Sequence, residues 1–176
     1  QTAAAAALGS MTVEPGRAVA VESLLLALAS INPRVQAAAA RALGTLGDGS
    51  AVETLRELVR SRAPGVAVAA LEALRAIHDP TLEDLLVESL GHPDTEVVKQ
   101  ALQAIHEHGG TRAVSRLAVA LAHAQWDVRR LAAMLLGGLG TAESRAALAA
   151  HRATETDDLV LTAIDAALVA HGGGRP

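Results

Sequence analysis

The chain has 176 residues, of which 51% are hydrophobic and 1% aromatic, with a formal net charge of −4 and no cysteine. That apolar content excludes a disordered chain, and the missing cysteines exclude a disulfide framework and thiolate chemistry. The mild charge argues against a general polyanion binder. With Trp126 as the sole aromatic, the interior must be built from Ala, Leu, Val and Ile, which suits closely packed helices. The absence of cysteine fits a reducing compartment, so a cytoplasmic location is the expectation. The most apolar stretch, residues 18–31, is broken by Glu22 and Ser23 and is too short to span a bilayer, so no membrane contact is expected. The opening QTAAAAALGS has no basic flank and no initiating Met. It reads as structural rather than as a leader. A chain that opens at Gln1 reads as a fragment of a longer one.

In chain order, residues 1–11 read as the end of a first helix, because Ala7-Leu8-Gly9-Ser10-Met11 parallels Ala42-Leu43-Gly44-Thr45-Leu46. A loop over residues 12–16 leads to a second helix carrying Val21 and Leu24. Asn32 is then a natural N-cap and Pro33 a natural first helical residue. Val35, Ala39, Ala42, Leu43 and Leu46 follow at helical spacing on one face. Gly47-Asp48-Gly49 stops that helix, and Ser50 can cap the next, whose apolar face is Val52, Leu55, Leu58 and Val59. Pro64 opens the third unit, Asp94 caps the fourth, and Gly109-Gly110 and Gly140-Thr141 break the fourth and fifth. Residues 157–171 supply one last helix, closed by His171 and the glycines after it.

Repetition ties these elements together. Val35, Val66, Val97, Val128 and Leu159 are each 31 residues apart, as are Ala39, Ala70, Ala101, Ala132 and Ala163. Leu43, Leu74, Ile105, Leu136 and Ala167 keep the same step, and so do Leu24, Leu55, Leu86, Leu117 and Leu148. A two-helix unit of this size cannot bury its apolar face alone, so neighbours must stack. The expected organisation is a single all-α array over residues 1–176, with units near 1–29, 30–60, 61–91, 92–122 and 123–153 and a half unit over 154–171.

Asn32-Pro33-Arg34-Val35 followed by Ala42-Leu43-Gly44-Thr45-Leu46-Gly47-Asp48 resembles the short HEAT repeats of the phycobilisome-lyase type. The resemblance covers nearly the whole chain. It implies a right-handed α-solenoid of about five two-helix HEAT repeats, with partial units at both ends. Such repeats serve scaffolds, lyases, hydroxylases and nucleic-acid enzymes alike, so the resemblance is specific for fold and not for function. One position departs from the family pattern. The Arg that often follows the Val is replaced by Gln36, Ala67, Val98 and Val160, and only Arg129 keeps it.

Candidate chemistry is sparse. His106 and His108 are two apart and point to different sides of a helix. His92 and His123 begin successive units and stand too far apart to share a metal, given interaxial spacings of about 8 to 10 Å. No cysteine or carboxylate cluster completes a tetrahedral set, so no metal and no cofactor are expected. His106-Glu107 is the only His-Glu pair, against the several that HEAT-repeat hydroxylases carry. A subunit of a bilin-lyase-like or other HEAT-repeat enzyme complex stays open on the resemblance alone. Serine-hydrolase, phosphate-loop and dinucleotide motifs are absent, and no catalytic residue is assigned. Nucleic acid is the distant alternative. Residues 30–60 carry +1, 61–91 carry −3, 92–122 are neutral and 123–153 carry +2, so no single-sign stripe tracks a phosphate backbone. Arg129-Arg130 reads as a solvated helix face.

What remains is shape. In HEAT solenoids the second helix of each unit lines the concave side, and the register then selects the outward positions. The first unit offers Leu25 and Leu26; the second Glu53, Arg56, Glu57 and Arg60; the third Asp84, Val87 and Glu88. The fourth offers Ser115, Ala118, Val119 and Ala122, and the fifth Ala146 and Ala149. A charged stretch thus gives way to a small, apolar shelf of the kind that accepts a partner protein or peptide, such as an amphipathic helix. The competing reading is that a high Ala content spills onto the surface. Trp126, at the position held by Pro33 and Pro64, is either an interface anchor or a cover over the neighbouring helix end. The expected function is a non-catalytic protein-interaction or scaffold module.

Overall fold

The computed structural model describes residues 16–170, apart from the side chain of Thr111. The expected helix over residues 1–11 and the closing residues 171–174 lie outside the described residues. The chain divides into two compact units, Gln1–Leu82 and Glu83–Pro176.

In the first unit, α1 (residues 16–28), α2 (Pro33–Leu46), α3 (Val52–Leu58) and α4 (Pro64–Ile77) follow one another with short joints. Each boundary has a local cause. The Asn32 side chain accepts from the Arg34 amide at 2.9 Å and Pro33 takes the first helical position. Gly47 ends α2 in the left-handed region (φ 65°), which costs glycine nothing. The cap after it is Asp48 and not Ser50: the Asp48 carboxylate accepts from the Ser50 amide at 2.9 Å and from its hydroxyl. Ser50 lies inside the resulting 3-10 turn Gly49–Ala51, so it cannot cap α3, which has no side-chain cap. Leu28, Leu43, Leu55, Val66 and Leu74 form the core, together with a bed of buried alanines on α2 and α4. The two helices approach closely at Gly44, where a Cβ would lie 2.6 Å from the Ala73 Cα.

The second unit begins inside α5 (Leu82–Ser89) and continues with α6 (Thr95–His108), α7 (Ala113–Val119), α8 (Trp126–Leu139), α9 (Ala142–Arg152) and α10 (Asp158–Ala170). Helix α8 is its centre, packing against α6, α7, α9 and α10. Val97, Ile105, Leu117, Val128, Leu136, Leu148, Val160 and Ile164 are fully buried. Asp94 caps α6 as its sequence position implies, accepting from the Glu96 amide at 2.9 Å. Among the described residues all the regular structure is helical.

The 31-residue column of Val35, Val66, Val97, Val128 and Leu159 holds in the interior and fails at its ends. Val66, Val97 and Val128 are fully buried, whereas Val35 and Leu159 are 41% and 53% exposed. In α10 the fully buried positions are Val160 and Ile164, in the same columns as the fully buried Val98 and Leu102. Two further columns emerge from the backbone. Gly47, His78 and Gly140 all sit in the left-handed region, at φ 65°, 61° and 63°, although only two of them are glycine. At the start of successive repeats a side chain accepts from the amide two residues on. These bonds run from Asn32 N to Ser30 Oγ (3.2 Å), Ala63 N to Ser61 Oγ (3.3 Å), Asp94 N to His92 Nδ1 (3.0 Å) and Gln125 N to His123 Nδ1 (3.1 Å).

Candidate functional site

The residues of the expected shelf lie on α7, the turn that follows it, and α9, which pack side by side in the second unit. Helix α7 is short, and its chain tightens into a 3-10 turn over Ala120–Ala122. The turn buries Ala120 and Leu121 and leaves Ala122 in solvent. Val119 is 67% exposed, and Ala122, Ala146 and Ala149 are exposed as well. Ala118 is half-buried, and Ser115 is exposed with its hydroxyl donating to the Arg112 carbonyl. The opposite faces of the same helices carry the buried Leu117 and Leu148. Helix α5 adjoins α7 through an ion pair from Arg116 Nη2 to Glu83 Oε2 at 2.9 Å. Its Asp84 and Glu88 are exposed, and so is Val87.

The remaining candidates are dispersed. In the first unit Leu26 is 73% exposed, Leu25 is half-buried, and Glu53, Glu57 and Arg60 are exposed. Arg56 does not offer a free charge. Its guanidinium bridges Glu53 (2.6 Å) and the almost fully buried Asp79 (2.8 Å). Burial pushes the Asp79 carboxyl up, but the Thr81 hydroxyl and amide and the Arg56 guanidinium outweigh it and hold the group below the usual range. Trp126 stands at the first position of α8 with 42% of its surface in solvent.

Two of the histidines serve the backbone. His92 and His123 spend Nδ1 on the backbone at the repeat starts. Among the described residues no group of three or more His, Cys, Asp or Glu side chains converges on a point that could hold a metal. Nor is any helix among them long and apolar enough to cross a membrane.

Arg129 corrects the reading of Arg129-Arg130 as a solvated face. Arg130 is exposed, but only 16% of the Arg129 side chain meets solvent. Its Nε and Nη2 donate to both oxygens of Glu155 at 2.8 and 3.0 Å, and its Nη1 donates to the carbonyls of His123 and Ala124. Glu155 also accepts from the amides of Thr156 and Asp157 and bonds with His151 Nε2 at 3.0 Å. The Arg129 hydrogen bonds, with the Asp157 amide, His151 and the Thr156 amide behind them, override burial and hold Glu155 far below the usual carboxylate range. Arg129 therefore staples the α9–α10 joint to the entry of α8. The sequence signal was the family's Arg position. What the sequence concealed was the acceptor, which sits 26 residues away in an irregular segment.

Comparison with known proteins agrees with this architecture. The family described as HEAT repeats matches residues 21–106 and again residues 83–168. No curated protein matches the sequence. Two crystal structures of engineered proteins from a structural genomics consortium are similar in fold. One is 23% identical with a TM-score of 0.52, covering 86% of this chain and 78% of its own; the other is 22% identical with a TM-score of 0.52, covering 86% and 80%. At that identity they speak to the fold alone. Paired helices, a 31-residue step and a family match over most of the length point the same way, to a fold that typically serves as a protein-interaction scaffold. The chain belongs to the HEAT-repeat family of α-solenoid proteins.

Proposed function

We propose that this chain is a non-catalytic protein-binding module, and that the α7–α9 shelf is where a partner protein or peptide docks. The observation that carries the reading is the exposure of Val119, Ala122, Ala146 and Ala149 on neighbouring elements whose other faces are already buried in the core. Small apolar side chains let a partner helix approach closely, and the apolar centre of such a contact carries most of its affinity. Asp84 and Glu88 on α5 supply charge that tunes orientation and on-rate rather than strength. Glu53, Arg56, Glu57 and Arg60, with Leu25 and Leu26, are further candidate partner-contacting positions, all in the first unit.

The test is affinity capture from the source cells with the wild-type chain and with Val119→Arg and Ala149→Arg. Both positions are exposed, so both variants should keep the helical circular dichroism and melting temperature of the parent. A specifically retained partner should be lost from both variants. A Val119→Arg chain that folds and still holds the same partner with the same affinity moves the recognition surface elsewhere, with the Trp126 edge as the next surface to mutate.

A further inference from the structure

Helices α8 and α10 enclose a second apolar concavity, on the first-helix side of the repeats and separate from the α7–α9 shelf. It has a volume of about 530 Å³ and is walled by Met134 and Leu159 above a floor that includes Gly137, Ala163 and Ala166, with Arg130 at one end. The floor is closed, because α8 and α10 touch beneath it: a Cβ on Gly137 would lie 2.6 Å from the Ala167 Cβ.

The same place in the first unit shows what this concavity lacks. Three repeats earlier, Gly44 stands for Gly137 and Ala73 for Ala166, and the groove between α2 and α4 is divided into spaces of about 240 and 430 Å³, with Arg41 lining both. There Arg41 and Glu72 cross it as an ion pair at 2.9 Å. In the second unit the counterpart of Arg41 is Met134 and that of Glu72 is Asp165, which is turned away to Arg152 on α9. The bridge is gone and the groove stands open.

Charge marks one end of it. Arg130 makes no ion pair or hydrogen bond with any described residue. The neighbouring carboxylates have other commitments: Glu155 is held by Arg129 and Asp127 by Lys99 at 2.6 Å. The Leu159 and Val160 amides at the start of α10 are already satisfied by Asp157, and Arg130 supplies a charged donor at that end. Asp158, also at the start of α10, is not one of the groove's walls. From Leu159 to Ala170 the groove follows α10 for about 16 Å at the helical rise.

The geometry points to a binding site for an amphiphilic carboxylate, a medium-length apolar chain lying along α8 and α10 with its carboxylate on Arg130. Size selects this occupant over a protein. The volume falls within the roughly 300–1,000 Å³ of small-molecule sites. Ten residues on two helices line the groove, whereas a stable protein interface engages about 20 to 30 residues a side.

The probe is dodecanoate below its micellar range, with dodecanol as the uncharged control, titrated while the methyl resonance of Met134 is followed in methionine-labelled protein. Dodecanoate should shift that resonance saturably. Arg130→Gln should weaken dodecanoate roughly two- to fivefold, the scale of an exposed ion pair, and leave dodecanol unchanged. Ala166→Leu, on an exposed position, should fill the groove and abolish both shifts in a folded protein. An unmoved Met134 resonance overturns the assignment. So do equal affinities for dodecanoate in wild type and Arg130→Gln, or undiminished binding to a folded Ala166→Leu. Sedimentation showing that this face is covered by a second copy of the chain overturns it as well. Each of these readings is independent of partner capture at the α7–α9 shelf.

Discussion

Removing the charge from Glu155 should destabilise the second unit more than any other single polar change. The carboxylate is 3% exposed and accepts from Arg129 in a two-pronged bond, from two backbone amides and from His151. Glu155→Gln keeps the volume but points an amide donor at groups that are themselves donors. Leaving one partner of a buried pair unmatched costs about 3 to 5 kcal/mol. That is a large share of the roughly 5 to 15 kcal/mol by which a domain is stable. The double variant Arg129→Met/Glu155→Met removes both charges and should recover much of the loss, since matched apolar replacements are often neutral. The assay is urea unfolding followed by far-ultraviolet circular dichroism, with the four corners of the double-mutant cycle compared. Proton linkage supplies an independent check. The folded carboxyl titrates far below its unfolded value, so its stabilisation is complete above the unfolded range near pH 4.5 and drains away as pH falls below it. Wild type should therefore lose stability steeply on acidification from pH 5, and Glu155→Gln less steeply. A Glu155→Gln protein as stable as wild type at pH 7, with the same acid slope, would refute the reasoning.

Two smaller effects follow from the repeat columns. His78 occupies a left-handed helix end that Gly47 and Gly140 fill without strain. His78→Gly should thus raise stability by about 0.5 to 1 kcal/mol, seen as a melting temperature a few degrees higher. His123 accepts from the Gln125 amide as Ser30 and Ser61 do at their own repeat starts. His123→Ser should accordingly melt within a degree or two of wild type, while His123→Ala should lose about 0.5 to 1.5 kcal/mol in a urea titration.

The fold was legible because its carriers are redundant. Val66, Val97 and Val128 repeat a buried position, and Asn32, Pro33, Pro64 and Asp94 mark helix starts by chemistry that acts within three residues. The exposure of Val119 and of the α9 alanines also followed from register. Legibility failed where a position is defined by geometry rather than by residue type. Ser50 looked like a cap, yet Asp48 two residues earlier already held its amide. His92 and His123 were set aside as metal ligands, but the role they share with Ser30 and Ser61 stayed hidden because Ser and His share no resemblance on paper, although both present an acceptor to the same amide. Arg129 looked solvated because its partner lies in a segment without period. The α8–α10 groove was invisible because Leu159, Ala163 and Ala167 belong to columns that are core elsewhere. Leu159 is 53% exposed at its place in the column, and so it can form a wall.

The acceptor at each repeat start bears on how such a chain can change in length over evolutionary time. Ser30, Ser61, His92 and His123 each satisfy an amide of their own repeat, two residues downstream. A duplication or deletion that cuts immediately before such a residue carries the donor and its acceptor together. The joint it creates inherits a complete turn and orphans no backbone group there. Selection on a lengthened array then has only the lateral packing of the new helices to repair, and that packing is already templated by every other copy.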